Sequence, residues 1–452
     1  MKIITWNLNG LRSLKDSLHR VIDDLKADVY CFQETKLSRN QVEEEIAFIP
    51  DYCSFFAFPK FKSGYSGVAT YCRESVRPFD AQDSMVNRNK RLLTSYVFTD
   101  AQQKTLDSEG RILITKHCLD TDDADGPSTV NLFVVNVYCP CGNTDNPERF
   151  SFKLDFYNLL ETKLLDLIEC DESENHILLV GDINTAHKRV DHCEPDDDFD
   201  ENAGRLWLDN LFNATNNISF VDIYRHFHPD TTNAYTCWST KVNARETNYG
   251  TRIDYCICDS GFINYIDECC LLTEVRGSDH CPVLVTLKNV KVRKSEKYPK
   301  LCTKLWPEFG CGKRQMKMTD FVFKRVKCEI NESNSEQEGT PKKRKDNSMT
   351  NSVCQVSKVE QRAFQTEDKN VNFTNEQRKT ETEQSNFALQ WKSVLKGPSK
   401  PPLCKGHGIP SVLRTVTKSG PNRGKQFFAC SLPVGNRDNP KSQCDFFQWV
   451  NK

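Results

Sequence analysis

The sequence has no long apolar run. Nothing in its 452 residues approaches the roughly 18 uninterrupted apolar positions of a membrane span, so no membrane role is expected. The opening stretch MKIITWNLNG lacks the apolar segment of a secretion signal and reads instead as a strand entering a polar turn. Net charge is also nearly missing: 61 Lys and Arg against 62 Asp and Glu leave −1, so total charge names no partner. A glycine-rich phosphate loop and a Ser-His-Asp nucleophile elbow are both absent, which argues against nucleotide-loop and acyl-transfer chemistry. Cysteine is plentiful, but the 21 residues are odd in number and scattered through apolar stretches such as DVYCFQ and RIDYCICDS. With no secretion signal, reduced thiols of a nuclear or cytosolic protein are expected rather than a disulfide framework.

Residues 1–290 read as one continuous globular region. Leu11, Leu14, Leu18, Val21, Ile22 and Leu25 keep helical spacing after the first strand. DVYCFQET, GVATYC, NLFVVNVYCP, ILLVGDIN, RIDYCICD and CPVLVTL read as strands. Asn146-Pro147 predicts a helix start, with Phe156, Leu160, Leu164 and Leu167 as its buried stripe. Alternating strands and helices predict a layered α/β (α+β) domain.

Residues 291–328 form an extension. From Glu329 to Asn386 the texture becomes Asn, Ser, Thr, Gln, Glu and Lys, with Phe364 and Phe373 the only aromatics. Such a segment buries too little surface to offset its ordering entropy, and 329–400 is expected to be a disordered linker. It holds PKKRK, residues 341–345, a basic run of the nuclear-localisation kind. Cysteine, glycine and aromatics return at 401–452, where eight Lys and Arg face two Asp, a local +6. That stretch is a separate basic module.

Polar residues recur where the strands of the first domain end: Asn7, Glu34, Tyr138, Asp182 with Asn184, Asp254, and Asp279-His280. Asn and Asp are ordinary at any single turn. Six such endings together supply hard oxygen donors suited to Mg²⁺ and one His beside carboxylates, an inventory for metal-assisted hydrolysis of a phosphate ester. Asp182 and Asn184, two apart on an extended chain, are expected to share a face.

The ordered series ITWNLNG, QETK, SEGRILIT, VYCP, GDINTAH, TRIDYC and GSDHCPV resembles the exonuclease–endonuclease–phosphatase superfamily, most of all its exonuclease III-type abasic endonuclease branch. The resemblance implies a four-layer α/β sandwich with the site at one edge. It implies that Glu34 is the principal Mg²⁺ (or Mn²⁺) ligand with Asn7 beside it, and Asp279 a second metal-side carboxylate. Asp182 would position or deprotonate the attacking water, and Asn184 and Tyr138 would hold the scissile phosphate. His280 would contact a non-bridging oxygen while Asp254 orients its ring. The implied metal-facing set is Asn7, Glu34, Asp182, Asn184, Asp279 and His280. Trp238 in AYTCWS matches the branch as a DNA contact. Asn9 stands where many members have Asp, and Cys141 replaces a typical Asn. Cys237 and Thr251 stand where the best-known abasic pockets have aromatics, so a looser pocket that favours 3′-end trimming over internal incision is expected.

In the last module, Cys404, His407, Cys430 and Cys444 have the spacing of a tetrahedral Cys₃His zinc site. Phe427, Phe428, Phe446, Phe447 and Trp449 interleave with basic residues, as on a single-strand platform where stacking contributes about 1–3 kcal/mol per base. The module resembles the GRF-type zinc finger, which implies single-stranded DNA contacts from Arg414, Lys418, Arg423, Lys425 and Phe427. Lys425 in GKQF replaces the usual Arg and loses its bidentate fork. An abasic endonuclease domain followed by this finger is similar to the second eukaryotic class of abasic endonucleases. Members of that class carry a sliding-clamp motif, and Gln315, Met318 and Phe321 within 315–323 match its spacing, with Val322 in place of an aromatic.

The expected protein is a monomeric, nuclear, Mg²⁺- and Zn²⁺-binding repair nuclease with DNA and a sliding clamp (proliferating cell nuclear antigen) as partners, and with cytoplasm and mitochondria as further compartments. The alternatives are a phosphatase of the same superfamily and a repair scaffold with slight catalysis. The acidic run Asp196–Glu201 reads as a solvated loop, Cys256 and Cys258 as core, and His226 and His228 receive no role.

Overall fold

Among the described residues fifteen strands build the first domain: β1 (Lys2–Asn7), β2 (Val29–Gln33), β3 (Tyr52–Ala57), β4 (Val68–Arg73), β5 (Asp80–Gln82), β6 (Ile112–Asp123), β7 (Gly126–Tyr138), β8 (Asn175–Asp182), β9 (Phe220–Asp222), β10 (Cys237–Trp238), β11 (Gly250–Thr251), β12 (Asp254–Asp259), β13 (Ile266–Leu271), β14 (Val283–Leu287) and β15 (Val290–Arg293). The helices are α1 (Leu18–Leu25), α2 (Glu44–Ala47), α3 (Asp100–Leu106), α4 (Pro147–Ile168), α5 (Ala203–Phe212) and α6 (Ile223–Phe227). The structure, a computed structural model, describes residues 1–309 except 15–17, 62–63, 87–95, 124–125, 143–144, 171–172 and 214–217, and residues 401–450 except 419. The linker 329–400, its basic run 341–345 and the clamp motif 315–323 with Gln315, Met318 and Phe321 lie outside the described residues.

One sheet has the order β13-β14-β1-β2-β4-β3 and the other β15-β6-β7-β8-β12-β9, with β5 added to β6. Both are mixed, because β1 runs parallel to β2 and β7 to β8 while their other neighbours are antiparallel. Alternation along each strand sorts side chains into layers. Ile3, Val29 and Cys31 of the first sheet face Val134, Leu178, Val180 and Cys256 of the second. On the outer side of the first sheet, Ile4, Trp6, Tyr30 and Phe32 meet Leu18 and Ile22 of α1 and Ile46 of α2. On the outer side of the second, Val135, Ile177 and Leu179 meet Phe156, Leu160 and Leu164 of α4 and Leu208 of α5. Helices, sheet, sheet, helices: the expected sandwich is present.

Asn146 caps α4 through Arg149 N–H at 3.1 Å, with Pro147 in the first turn. The helical spacing over Leu11–Leu25 is shared by two described elements, with 15–17 outside the described residues. Residues Leu11–Leu14 make a 3₁₀ turn and α1 starts at Leu18, because Leu11 N–H is tied to Thr35 C=O at 3.1 Å and pulls the first turn toward the site. The acidic run stays exposed apart from Phe199, which is buried. Beyond residue 290, β15 pairs with β6, and the chain crosses back so that Trp306 packs against Phe56 and Phe58 under Arg39, 4.2 Å from its ring. All described cysteines are free thiols, and Cys256 and Cys258 are core as expected. No helix among the described residues is long and apolar enough to cross a membrane.

Arg252, fully buried, forks onto Asp191 at 2.8 and 2.9 Å and reaches Asp222 at 2.7 Å, while Arg225 Nε adds a bond to Asp191 at 3.0 Å. Although burial penalises its charge, these guanidinium partners hold the Asp191 carboxyl down at about 2. Arg252→Met is expected to lower the unfolding free energy by about 3–5 kcal/mol, read from the urea midpoint, because two buried carboxylates lose their partner. His117 is also fully buried between Thr115 Oγ1 and Val76 C=O, and burial holds its ring down at about 4. The unfolded chain binds that proton near pH 6.5, so stability is present above this value and lost as pH falls toward 4, by up to about 3 kcal/mol. Chemical denaturation between pH 7 and 4 is expected to show a shallower decline in His117→Gln.

Candidate active site and zinc finger

The same parity that fills the inner layer delivers the polar residues. Asn7 shares the inner face with Ile3, Asp182 with Leu178 and Val180, Asp254 with Cys256, and Tyr138 with Val134. All four lie where strands end at one rim of the sandwich, so the two sheets present them to each other. Below the rim a buried polar tie crosses the layer: Gln33 donates to Asn136 at 2.8 Å, and Asn136 to Ala69 C=O at 2.9 Å.

Asn7 Nδ2 bridges the sheets, donating to Glu34 at 3.0 Å and Asp182 at 2.8 Å, and its Oδ1 accepts Asn9 N–H at 3.0 Å. It therefore orients the two carboxylates through its nitrogen. Glu34 also bonds Lys36, at 2.9 Å, and Tyr138; burial opposes its charge, yet the Asn7, Lys36 and Tyr138 contacts hold the carboxyl below its ordinary value. Arg111 lies 4.4 Å over the Tyr138 ring and donates to Tyr138 C=O at 3.0 Å. Burial and the neighbouring Asp254 charge push the Asp182 carboxyl up, against His280 and Asn7.

Asn184 does stand beside Asp182, but not through strand alternation. The strand stops at Asp182 and Asn184 takes a left-handed conformation (φ 56), folding its N–H onto Asp182 at 2.8 Å and its Nδ2 onto Cys139 C=O at 2.9 Å. Asn9, Glu34 and Lys36 are left-handed too, at φ 52, 51 and 54. Such backbone costs about 1 kcal/mol or more per residue and collects at functional sites. Lys153 Nζ fixes the Asn184 carbonyl at 2.7 Å.

His280 Nδ1 meets Asp254 Oδ2 at 2.8 Å, and Thr236 donates to the same oxygen at 2.6 Å. Burial works against a charged ring, but Asp254 raises the His280 pKa well above its ordinary value. Asp254 Oδ1 is buried with no hydrogen-bond partner. Donor atoms of Asp182, Asp254 and His280 lie within 4.8 Å of one another. Two carboxylates, one carrying an unsatisfied oxygen, with a third at Glu34, fit a hard divalent cation. Asp279 is partly exposed, accepts Ser278 Oγ at 3.2 Å, and meets the group through its carbonyl, which accepts Trp238 N–H at 2.9 Å.

Trp238, expected as a DNA contact, lies in the wall beside this group. It is 3% exposed, its Nε1 donates to Asn248 Oδ1 at 3.1 Å, and Arg245 covers its ring at 4.6 Å. Arg245 also ties the 239–249 loop to the carbonyls of Thr273 and Val275, so Trp238 props this wall. Cys237 and Thr251 face each other across β10 and β11, both partly exposed. Lys36, Arg111, Lys153 and Thr236 were not singled out from sequence. Lys36, Arg111 and Thr236 lie inside the quoted motifs QETK, SEGRILIT and AYTCWS, which was the available signal; Lys153 carried none.

In the finger, Sγ of Cys404 and Cys430 lie 3.6 and 3.4 Å from His407 Nδ1, and with Cys444 the four donors fall within 4.8 Å. Ligands about 2.0–2.3 Å from a tetrahedral Zn²⁺ are separated by such distances. A Cβ at Gly406 would lie 2.7 Å from Cys444 Sγ, so only glycine lets the chain close on that ligand. Strands β16 (Val412–Thr415), β17 (Gln426–Ala429) and β18 (Phe447–Trp449) set Arg414, Phe427 and Trp449 in one cross-strand row. Phe447 stacks on Phe427 at 4.8 Å; Phe447 and Trp449 are 51% and 38% exposed, and Lys425 stands over Trp449. Lys418, Arg423 and Lys425 are exposed. Phe447 and Trp449 thus join the expected platform residue Phe427.

Residues 4–280 match the Endonuclease/Exonuclease/phosphatase family. The chain belongs to that family. Residues 402–452 match the GRF zinc finger. DNA-(apurinic or apyrimidinic site) endonuclease 2 of Xenopus laevis is 35% identical over 100% of this chain and 99% of its own, and the Homo sapiens protein of that name is 32% identical over 99% of both. The crystal structure of the Xenopus laevis APE2 catalytic domain superposes with a TM-score of 0.63 at 38% identity, covering 70% of this chain and 100% of that one. As a member of this nuclease family the chain is an enzyme, and the rim cluster is its candidate active site. Thr236→Val keeps shape but removes the hydroxyl that steadies Asp254; phosphodiester cleavage is expected to fall about tenfold, roughly one hydrogen bond's 1.4 kcal/mol, with the finger's zinc content unchanged.

Proposed function

We propose that the chain is a DNA-repair nuclease that hydrolyses phosphodiesters at damaged 3′ ends, as a 3′-5′ exonuclease and 3′-phosphodiesterase, and at abasic sites in base excision repair. The observation that carries this reading is the convergence of Asn7, Glu34, Tyr138, Asp182, Asn184, Asp254 and His280 on one rim of a sandwich whose full-length relatives are abasic endonucleases. Mg²⁺, held by Glu34 with Asp182 and Asp279 nearby, would supply charge to the phosphate oxygens. Asp182, its Oδ2 steadied by the Asn7 and Asn184 side-chain amides and its Oδ1 by Asn184 N–H, takes the proton of the attacking water. His280, kept cationic by Asp254, donates to a non-bridging oxygen. Asn184 and Tyr138, each anchored through backbone contacts, hold the phosphate in line.

The small partly exposed pair Cys237 and Thr251 supports the preference for 3′-end trimming over internal incision. The exposed Phe447 and Trp449 beside the partly buried Phe427, with Arg414, Lys418, Arg423 and Lys425 around them, support stacking of adjacent single-stranded DNA on the zinc finger. The basic run 341–345 supports a nuclear location, and 315–323 supports engagement of a sliding clamp by a monomer.

End-labelled DNA with either a recessed 3′ end or an internal abasic analogue, incubated with Mg²⁺, tests the reading. Faster trimming of the recessed end, lost by at least 10²-fold in Glu34→Ala with Asp182→Asn, is expected. Metal-dependent cleavage of neither substrate would remove the nuclease reading in favour of a scaffold.

A further inference from the structure

The finger and the nuclease domain belong to one compact unit. The turn that follows Cys430 meets the nuclease loop between β10 and β11. Val434 N–H donates to Val242 C=O at 3.1 Å, and Val434 C=O accepts the Thr247 hydroxyl. Both backbone groups of one finger residue are thus satisfied by that loop, as along a paired strand edge. Gly435 is close enough that a Cβ there would lie 2.8 Å from Thr247 Cβ.

The receiving loop is held internally by short-range turn bonds, among them Ala244 N–H to Ser239 C=O and Tyr249 N–H to Ala244 C=O, at 3.1 and 2.9 Å. It consists of two 3₁₀ turns, Thr240–Val242 and Ala244–Thr247, joined by Asn243 and ended by Asn248, both left-handed. Short 3₁₀ turns carry weak hydrogen bonds and depend on neighbours for order. The loop's other side is the wall of the active site. Arg245 ties it to the carbonyls of Thr273, Val275 and Ser278 at 2.7, 2.7 and 3.1 Å and covers Trp238. Asn248 holds Trp238 Nε1, Trp238 N–H holds Asp279, and Cys237 bridges to His280.

We infer that the zinc finger has a second role besides holding DNA: seated through Val434 and Gly435 on the 240–247 loop, it braces the wall that positions Trp238, Asp279 and His280. The finger is then a positioning part of the nuclease even for substrates it does not touch. The catalytic half of this inference rests on the nuclease reading; the seat itself does not.

Hydrogen exchange of the full chain, with Thr247→Arg and Thr247→Ser, separates the two. Thr247→Arg drives a long side chain into the space at Gly435 without altering the finger, and Thr247→Ser keeps the hydroxyl. The expected result is at least tenfold faster exchange at 432–435 and 240–248 in Thr247→Arg alone. A tenfold loss of Mg²⁺-dependent cleavage on a fully paired, blunt abasic duplex is expected with it, zinc content and affinity for oligo(dT) being unchanged. Faster exchange at 240–248 with none at 432–435 would overturn the seat. Faster exchange in both with full cleavage would overturn the bracing role. Wild-type protein that cleaves nothing would defeat the nuclease reading while the exchange data still decide the seat.

Discussion

Everything at the rim rests on a guanidinium with no access to water. Arg252 occupies the turn between the short strand of Thr251 and the long strand of Asp254, and its fork fixes Asp191 and Asp222 from two other segments. A charge so buried tolerates only one arrangement of its partners, since any displacement leaves a carboxylate or the guanidinium unpaired in a medium that cannot solvate it. The neighbouring Ile253 C=O accepts Ile183 N–H at 2.9 Å, so the same turn holds the strand end of Asp182. Two carboxylates of the active site are thereby located by an ion cluster that touches no substrate.

The relation between sequence and site follows from parity. Strand ends could be read because apolar runs stop abruptly at Asn7, Asp182 and Asp254, and once the inner face was assigned those residues had to point inward. Asn184 was placed correctly for a wrong reason: its left-handed backbone, not an extended chain, brings it back onto Asp182. That conformation, like those of Glu34 and Lys36, is imposed by neighbouring segments and leaves no composition signal in an Asn, Glu or Lys. Lys153 was hidden because a side chain that supports a site residue from a distant segment looks like any other polar residue, and Thr236 stood unremarked inside AYTCWS for the same reason. The packing around Trp238 could not be read, because its covering arginine is seven residues away in sequence and acts through a loop without periodicity.

The finger was easier to read, since ligand spacing and glycine carry strong local constraints. Cys404 and His407 share a turn, and Gly406 between them has to admit Cys444. The aromatic face follows from alternation on three short strands, which puts Phe427, Phe447 and Trp449 on one side and leaves Phe447 and Trp449 exposed. In so small a module exposed rings of this size are not core, and their cost in water is the mark of a surface made for stacking.

The order in which the strands are laid down has a consequence for the newborn chain. The first strand completes its sheet only by pairing with Val283–Leu287, and Trp6 donates to His280 C=O across 274 residues. A ribosome must therefore release nearly the whole domain before its opening strand finds a partner on that side. The histidine proposed to meet the phosphate arrives with that closing segment, so the rim cluster is completed only by the event that completes the fold, and a nascent fragment that already holds Glu34 and Asp182 still lacks it.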